Sequence, residues 1–446
     1  MSYQEDMALL LDQEKYTECA RYLEQISTVD ASDILSELDT PQLAKLFRLL
    51  KKDMAAPIFA ELSPDVQRRL LEAFTDTEIS AIIANMFLDD TVDMLEELPA
   101  GMVSRLISLA PKENRSAINR LLQYDENSAG SVMTTEFVTV YESMTAVEAL
   151  ERVRVRGRNM ETVYVIYVTD AKKILRGSLE LKQLLFSEDH TLIKDIMEKS
   201  VVSIETHADK QEAAALIAKY DLLALPVVDS EQRLVGIVTV DDALDVITEE
   251  AAEDMEIMAA IMPTDTPYLK TKTLTIWRNR IPWLLLLLLS ATVTGAVISH
   301  YESALQVVPI LISFIPMIMS TGGNAGSQAS VTVIRGLSLG ELQLRDVGRV
   351  LWKELRVSLL CGIVLSFFVF LKATYIDKAS VTVALVVSLT LLLTVIFAKL
   401  IGGALPVIAK ALRLDPAIMA SPFITTTVDT VSLLLYFAIA SAALGI

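Results

Sequence analysis

Cysteine is nearly absent from this chain of 446 residues, with Cys19 and Cys361 the only two. They sit in stretches of unlike character, so neither a disulfide framework nor a thiolate metal centre is expected, and reducing surroundings fit. The start, MSYQEDMALLLDQEKY, lacks a basic segment followed by an apolar run, so no cleaved leader is expected and the first half should stay cytoplasmic. An excess of positive charge is missing too: 39 Lys and Arg stand against 57 Asp and Glu, net −18. Such a surface repels nucleic acid and anionic lipid and attracts divalent cations. A P-loop, an HExxH pair, a dinucleotide fingerprint and a nucleophile beside a base are all missing, which argues against an enzyme.

Apolar residues are abundant, at 52%, with a mean hydropathy of +0.44, too apolar for a soluble chain of this length. From Ile276 onward there are 12 basic and 7 acidic residues, net +5, which leaves 27 basic and 50 acidic before it, net −23. Two physically different halves follow, one acidic and soluble, one in a lipid bilayer.

Residues 1–130 read as short amphipathic helices in an acidic N-domain. Glu-Leu pairs at 37, 61 and 97 each precede a turn and a second apolar-periodic helix, spaced by 24 and 36 residues. That is the pattern of stacked helix pairs, an all-α superhelical domain. From about Thr134 the period changes to strand, helix, two β-branched strands and helix, and the order then recurs. LPVVD at 225–229 and GIVTVDDAL at 236–244 make this α/β segment resemble a tandem pair of CBS domains, placed at 131–196 and 197–250. In that family a Thr or Ser followed three positions later by Asp contacts an adenosine ribose, and Thr239 with Asp242 stands there. The first copy departs, since GSLELK has Ser178 but Leu181 where the Asp should be, so ATP or another adenine nucleotide is expected at the second CBS domain if at either. CBS pairs also serve without nucleotide.

A charged helix opens the connecting segment 241–275 and carries Asp241, Asp242, Asp245, Glu249, Glu250, Glu253 and Asp254. Like charges four apart destabilise an isolated helix. A cation held against another acidic surface would relieve this, and a counterion-bathed helix is the alternative. Pro263 and Pro267 are expected to end it.

Residues 276–446 hold five apolar runs, at 281–300, 305 to about 334, 357–375, 381–409 and 418–444, each long enough to cross about 30 Å of hydrocarbon. A five-helix transmembrane domain is expected, in a multidomain membrane protein. Arg278, Arg280, Arg335, Arg345, Arg349, Lys353, Arg356, Lys410 and Arg413 flank one side, against Lys372 and Lys378 on the other. The positive-inside rule then places the N-terminus in the cytoplasm and the C-terminus outside an inner, or plasma, membrane.

The second run is interrupted by Ser320, Thr321, Gly322, Gly323, Asn324, Gly326, Ser327 and Gln328. Kinked or unwound backbone at membrane depth survives only beside protein or a water-filled cavity. A helix-packing seam through Gly322 and Gly326 is the alternative, but it does not require the amides of Asn324 and Gln328. In the last run Asp429 lies 11 residues from Ile418, roughly 16 Å deep, where a carboxylate costs at least ~2.5 kcal/mol to insert. Thr425, Thr426, Thr427 and Thr430 flank it. An ion pair with Lys399 in the fourth run is one explanation, and a cation pathway lined by the second and fifth runs is the other. The oxygen-only ligand set favours a hard cation. Mg2+ keeps its water shell, so two carboxylates from a dimer would suffice, while Na+ and K+ stay open.

TGGNAGSQASVTVIRGL together with SPFITTTVDT, the acidic helical N-domain, the tandem CBS domains and five spans resembles the MgtE family of magnesium channels from end to end. The resemblance implies a homodimer whose second and fifth spans line a pore, with hydrated Mg2+ contacted by Asp429 and the path formed with Gly322, Gly323, Asn324, Gln328, Thr425 and Thr426. It implies that cytoplasmic Mg2+ closes the pore by bridging acidic surfaces. Candidate bridging carboxylates are Asp89, Asp90 and Asp93 in the N-domain, Asp229, Asp241, Asp245, Glu249, Glu250, Glu253 and Asp254, and Asp415 before the last span. An ion-coupled divalent cation carrier and a non-transporting membrane sensor of Mg2+ or nucleotide are the alternatives. Lys399 has no place in this scheme.

Overall fold

The computed structural model describes residues 7, 10, 11, 13–264, 268, 269 and 271–445. Its contacts divide the chain into two compact units, Met1–Ile247 and Thr248–Ile446.

In the first unit, nine short helices follow one another among the described residues: α1 (Tyr16–Leu23), α2 (Thr28–Ser36), α3 (Thr40–Phe47), α4 (Lys52–Ala60), α5 (Pro64–Ala73), α6 (Asp76–Ile83), α7 (Leu88–Glu96), α8 (Ala100–Leu109) and α9 (Arg115–Leu121). Their starts are set by side chains that satisfy the orphan N–H groups of a first turn. Ser27 Oγ accepts from Asp30 N at 3.1 Å, Asp39 Oδ1 from Gln42 N at 2.9 Å, and Glu78 Oε2 from Thr75 N at 2.8 Å. Through most of the run a helix packs on the next but one, as α1 on α3 and α2 on α4, so each buries an apolar stripe such as Leu43, Leu46 and Phe47 of α3 between neighbours. This is the stacked-helix superhelix that the Glu-Leu repeat predicts.

Two α/β modules follow. The first has β1 (Phe137–Tyr141), α10 (Ala146–Arg156), β2 (Thr162–Thr169), β3 (Leu175–Glu180), α11 (Leu181–Leu185) and α12 (Ile193–Ile196). The second has β4 (Ile204–Glu205), α13 (Lys210–Tyr220), β5 (Ala224–Val228), β6 (Leu234–Thr239) and the long α14 (Val240–Met258). In each sheet the first pair is parallel and the second is an antiparallel hairpin. Asp170 and Asp229 shape the two hairpin turns: Asp170 Oδ1 accepts from Lys172 N and Ile174 N, and Asp229 Oδ1 from Glu231 N and Arg233 N, at 2.9–3.0 Å. Tyr167 OH donates to Ala224 O at 3.0 Å and joins the modules.

Helix α14 stops at Met258, ahead of Pro263, and Ala260 takes a left-handed φ of 56°. Chain reversal after Met258 therefore ends the helix, while Pro267 lies outside the described residues.

The second unit contains α15 (Thr273–His300), α16 (Glu302–Val307), α17 (Ile315–Ser338), α18 (Val347–Leu371), α19 (Val381–Ala411) and α20 (Ser421–Leu444). Four of the described helical stretches are long and apolar enough to cross a membrane: Thr273–His300, Leu344–Ile376, Val381–Ala411 and Pro416–Leu444. Helix α17 has the length, 24 residues or roughly 36 Å, but its polar residues lower its hydropathy. The expected second run from 305 is divided: α16 gives way to a 3-10 turn at Pro309–Phe314 before α17 begins. Helices α17, α19 and α20 meet around Ala325, Val395, Ala398, Ile424 and Val428. Tyr436 OH, fully buried on α20, donates to Leu311 O at 3.0 Å and fixes the entry to α17.

Candidate functional site

The polar stretch of α17 is a continuous helix and is not unwound. The glycines explain why it is tolerated. A Cβ on Gly322 would lie 2.7 Å from Thr394 Cγ2 and 3.0 Å from Ser432 Oγ; on Gly323, 2.9 Å from Thr425 Cγ2; on Gly326, 2.7 Å from Ile424 Cγ2 and 3.1 Å from Ala398 O. All three are buried where α17 wedges between α19 and α20, and backbones approach this closely only without side chains. The expected broken backbone is thus corrected to a packed helix whose glycine carbonyls stay in the helical ladder.

Ser320, Asn324, Gln328 and Thr332 repeat every four residues along the other face of α17, and all are exposed in the single chain. Thr332 Oγ1 donates back to Gln328 O at 2.7 Å. One helix therefore carries a seam of small residues and an opposed polar stripe.

Asp429 is eight residues from the start of α20, roughly 12 Å along it. Its Oδ1 is enclosed and has no hydrogen-bond partner. Thr426 Oγ1 donates to Pro422 O at 2.8 Å and Thr427 Oγ1 to Phe423 O at 3.0 Å, so these hydroxyl protons serve their own helix, while Thr430 Oγ1 lies 3.3 Å from both Thr426 O and Thr294 Oγ1 of α15. Thr425 touches Gly323 one turn before Asp429. Lys399 is 5% exposed, and no ion pair joins it to Asp429 among the described residues.

The second group of candidates collects in the first unit. Asp89, Asp90 and Asp93 lie in α7 and face Asp241 and Asp242 at the start of α14, with Glu61, Glu136 and Glu161 close by. Burial is the first cause of every shift here, and like charge adds to it. Asp90 and Asp242 are pushed up to about 7, Asp93 and Glu161 to about 8, and Asp89, Glu61 and Glu136 above the usual carboxylate range. Glu161 Oε2 is enclosed without a hydrogen-bond partner. Asp245 is raised by burial and then by Asp241. Among the described residues no three of these carboxylates converge as direct ligands of one ion. Sequence reasoning missed Glu61, Glu136 and Glu161, because only the fold brings positions so far apart to α7.

The remaining candidates separate from this cluster. Asp229 is occupied by its hairpin turn. Glu249 and Glu253 are exposed on α14 and Glu250 is half-buried. In the second unit, Asp254 is raised by burial and then by the charge of Asp415, so these two carboxylates are neighbours. Asp415 Oδ1 also accepts from Ala417 N at 2.8 Å.

Thr239 Oγ1 donates to Asp242 Oδ2, which also receives Thr239 N at 3.4 Å. Strand register identifies the counterpart in the first module. Val165 pairs with Glu180 as Ala224 pairs with Thr239, so the equivalent pair is Glu180 and Gln183, not Ser178 and Leu181. Gln183 Oε1 accepts from Glu180 N at 3.0 Å, the same cap made with an uncharged side chain.

Comparison with known proteins follows this layout. The divalent cation transporter family MgtE matches residues 315–439, the MgtE intracellular N domain 5–127, and the CBS domain 129–187 and 193–249. The magnesium transporter MgtE of Thermus thermophilus is 37% identical over 94% of this chain and 93% of the relative, and that of Bacillus subtilis 33% identical over 97% and 96%. A crystal structure of the cytosolic domain of the Mg2+ channel MgtE in complex with ATP is 36% identical, with a TM-score of 0.53, and covers 55% of this chain and 99% of that one.

Proposed function

The chain belongs to the MgtE family of magnesium transporters, and from that premise we propose that it forms a homodimeric Mg2+ channel with a path between α17 and α20. The observation that carries this reading is the polar stripe of Ser320, Asn324, Gln328 and Thr332 on a helix whose opposite face is already packed. Lipid cannot satisfy four polar side chains on one face. A second copy related by a two-fold axis would cover the stripe and enclose water beside it. Asp429, with an unpartnered carboxylate oxygen one turn from Thr425, supplies the charge. Two such carboxylates, one from each copy, attract a divalent ion that keeps its first water shell. Asn324 and Gln328 order that shell, and Gly322 and Gly323 bring α17 close enough to α20 to hold the geometry.

The acid cluster acts as the sensor. In low cytoplasmic Mg2+, Asp89, Asp90, Asp93, Glu136, Glu161, Asp241 and Asp242 repel one another. Divalent ions held through water between them remove that repulsion and favour the closed arrangement. Asp254 with Asp415, and the flanking Asp245, Glu249, Glu250 and Glu253, take part in the same way. Turning a mostly open population into a mostly closed one requires about 5.5 kcal/mol of differential binding, within reach of several weak sites. Thr239 and Asp242 sit together as a ribose-binding pair must, and an adenine nucleotide binds there. The N-terminus is cytoplasmic and the C-terminus external.

The test is growth of an Mg2+-transport-deficient bacterium on limiting Mg2+. Wild type restores growth and Asp429→Ala, present at equal level in the membrane, does not. Equal rescue by both removes Asp429 from the path.

A further inference from the structure

Lys399 is 5% exposed inside a membrane-crossing helix, and the path proposed above is for cations, so the chain must dispose of this charge. The packing of α19 shows where it can go. Ala398 and Gly402 lie on the stripe that meets α17, where a Cβ on Gly326 would come 3.1 Å from Ala398 O. The next stripe, turned by about 100°, carries Leu392, Lys399 and Gly403. That stripe meets α18: a Cβ on Gly362 would lie 2.7 Å from Leu392 Cδ1, and one on Gly403 3.3 Å from Glu354 Cγ. Lys399 therefore belongs to the face toward α18, and α18 offers one acid there, Glu354. Its Oε2 is enclosed and has no hydrogen-bond partner, and among the described residues no ion pair joins it to Lys399, so pairing requires the lysine stem to turn toward it. Gly403 follows Lys399 by one turn, about 5.4 Å, and the four-carbon stem of lysine spans that distance. Lys399 also lies nearer the Ala411 end of α19 than the Val381 end, and Glu354 is on the side of that nearer end, the direction in which a buried lysine snorkels.

We propose that Glu354 is a positioning residue that holds the Lys399 ammonium on the α18 side of α19 and so keeps a fixed positive charge out of the neighbouring cation path. Once paired, the two ions compensate each other, and each alone is a liability. Removing Glu354 leaves an uncompensated ammonium on the helix packed against α17, and its field repels a divalent cation approaching along the path on the far side of α17. Removing Lys399 leaves a carboxyl that can take a proton, which adds no positive field.

This inference rests on the proposed Mg2+ path, and the experiment separates the two. Full-length protein in proteoliposomes is assayed for Mg2+ influx as wild type, Glu354→Gln, Lys399→Met, the double neutral variant, and the charge swap Glu354→Lys with Lys399→Glu. Glu354→Gln is expected to lower influx at least about tenfold, the scale of one uncompensated buried charge. Lys399→Met stays near wild type, and adding it to Glu354→Gln restores influx to within about threefold, a coupling that only interacting sites show. A role in packing alone predicts the opposite, since the double variant would carry two lesions. Where Glu354→Gln is not monodisperse, the charge swap decides: a monodisperse, conducting swap supports the pair, and a swap that also fails overturns it. A double variant as inactive as Glu354→Gln, or a Glu354→Gln that conducts normally, overturns the proposal. Absence of influx in wild type would instead remove the transport reading on which it rests.

Discussion

Glu136 reaches from the segment before β1 to the first turn of α7, where its Oε2 accepts a 2.9 Å hydrogen bond from Leu88 N. A helix N-terminus stabilises one anion. Here the same turn also carries Asp89 and Asp90, with Asp93 on the next, so repulsion and burial outweigh what the helix end provides.

The consequence is a stability that depends on pH in the unusual direction. The raised carboxyls bind protons more tightly in the folded state than in the unfolded chain. Their contribution is full below the unfolded values near 4 and is lost as pH rises through the folded values, about 7 for Asp90 and Asp242 and about 8 for Asp93 and Glu161. With chelator present, the thermal unfolding midpoint of the full-length protein in detergent should fall as pH is raised from about 6 to about 8.5. Millimolar Mg2+ should remove most of that slope. A midpoint independent of pH without Mg2+ would show that the cluster is not strained.

Neutralising the cluster distinguishes relief of repulsion from chelation. Asp89→Asn, Asp90→Asn and Asp93→Asn combined should make the full-length protein as protease-resistant without Mg2+ as the wild type is with it, because no charge remains to be compensated. Direct chelation predicts a protein that stays protease-sensitive at every Mg2+ concentration.

The order of helical, α/β and membrane segments was legible in the sequence because periodicity and composition report on burial, and burial defines each of those layers. The acid cluster was half legible. Asp89, Asp90 and Asp93 stand out as a run over two turns, but Glu136 and Glu161 join them only through the placement of β1 and β2 beside α7. The polar stretch of α17 is only partly legible: Gly and Asn side by side suggest a broken backbone, whereas the helix sends them to opposite faces. A four-residue spacing of Ser320, Asn324, Gln328 and Thr332 was visible in the sequence and points to a helix. The counterpart of Thr239 was misplaced because strand register, not motif spelling, defines equivalence between the modules.

The two faces of α17 should fail differently. Gly326→Val forces a side chain against Ile424 and the Ala398 carbonyl, and overpacking of that kind costs about 1–3 kcal/mol. Less folded protein should be recovered and its unfolding midpoint should drop. Asn324→Leu meets no packed neighbour within the chain, so the fold should persist while Mg2+ influx falls. A Gly326→Val protein with normal stability would mean that the seam is looser than these distances require.

Asp242 serves two ends that a single variant separates. In the proposed ribose pair it accepts hydrogen bonds with Thr239, and in the acid cluster it adds repulsion to Asp89, Asp90 and Asp93. Asp242→Asn keeps an acceptor for Thr239 but removes the charge. Its unfolding midpoint at about pH 8 without Mg2+ should therefore rise above wild type. Nucleotide affinity, measured calorimetrically with ATP and Mg2+, should fall about tenfold or more, as expected when a hydrogen bond to a charged acceptor is lost. Gln183→Ala, at the equivalent place in the first module, should leave that affinity unchanged because Gln183 already lacks the charge. If Asp242→Asn binds ATP as wild type does while gaining stability, the residue belongs to the acid cluster alone and the ribose assignment falls.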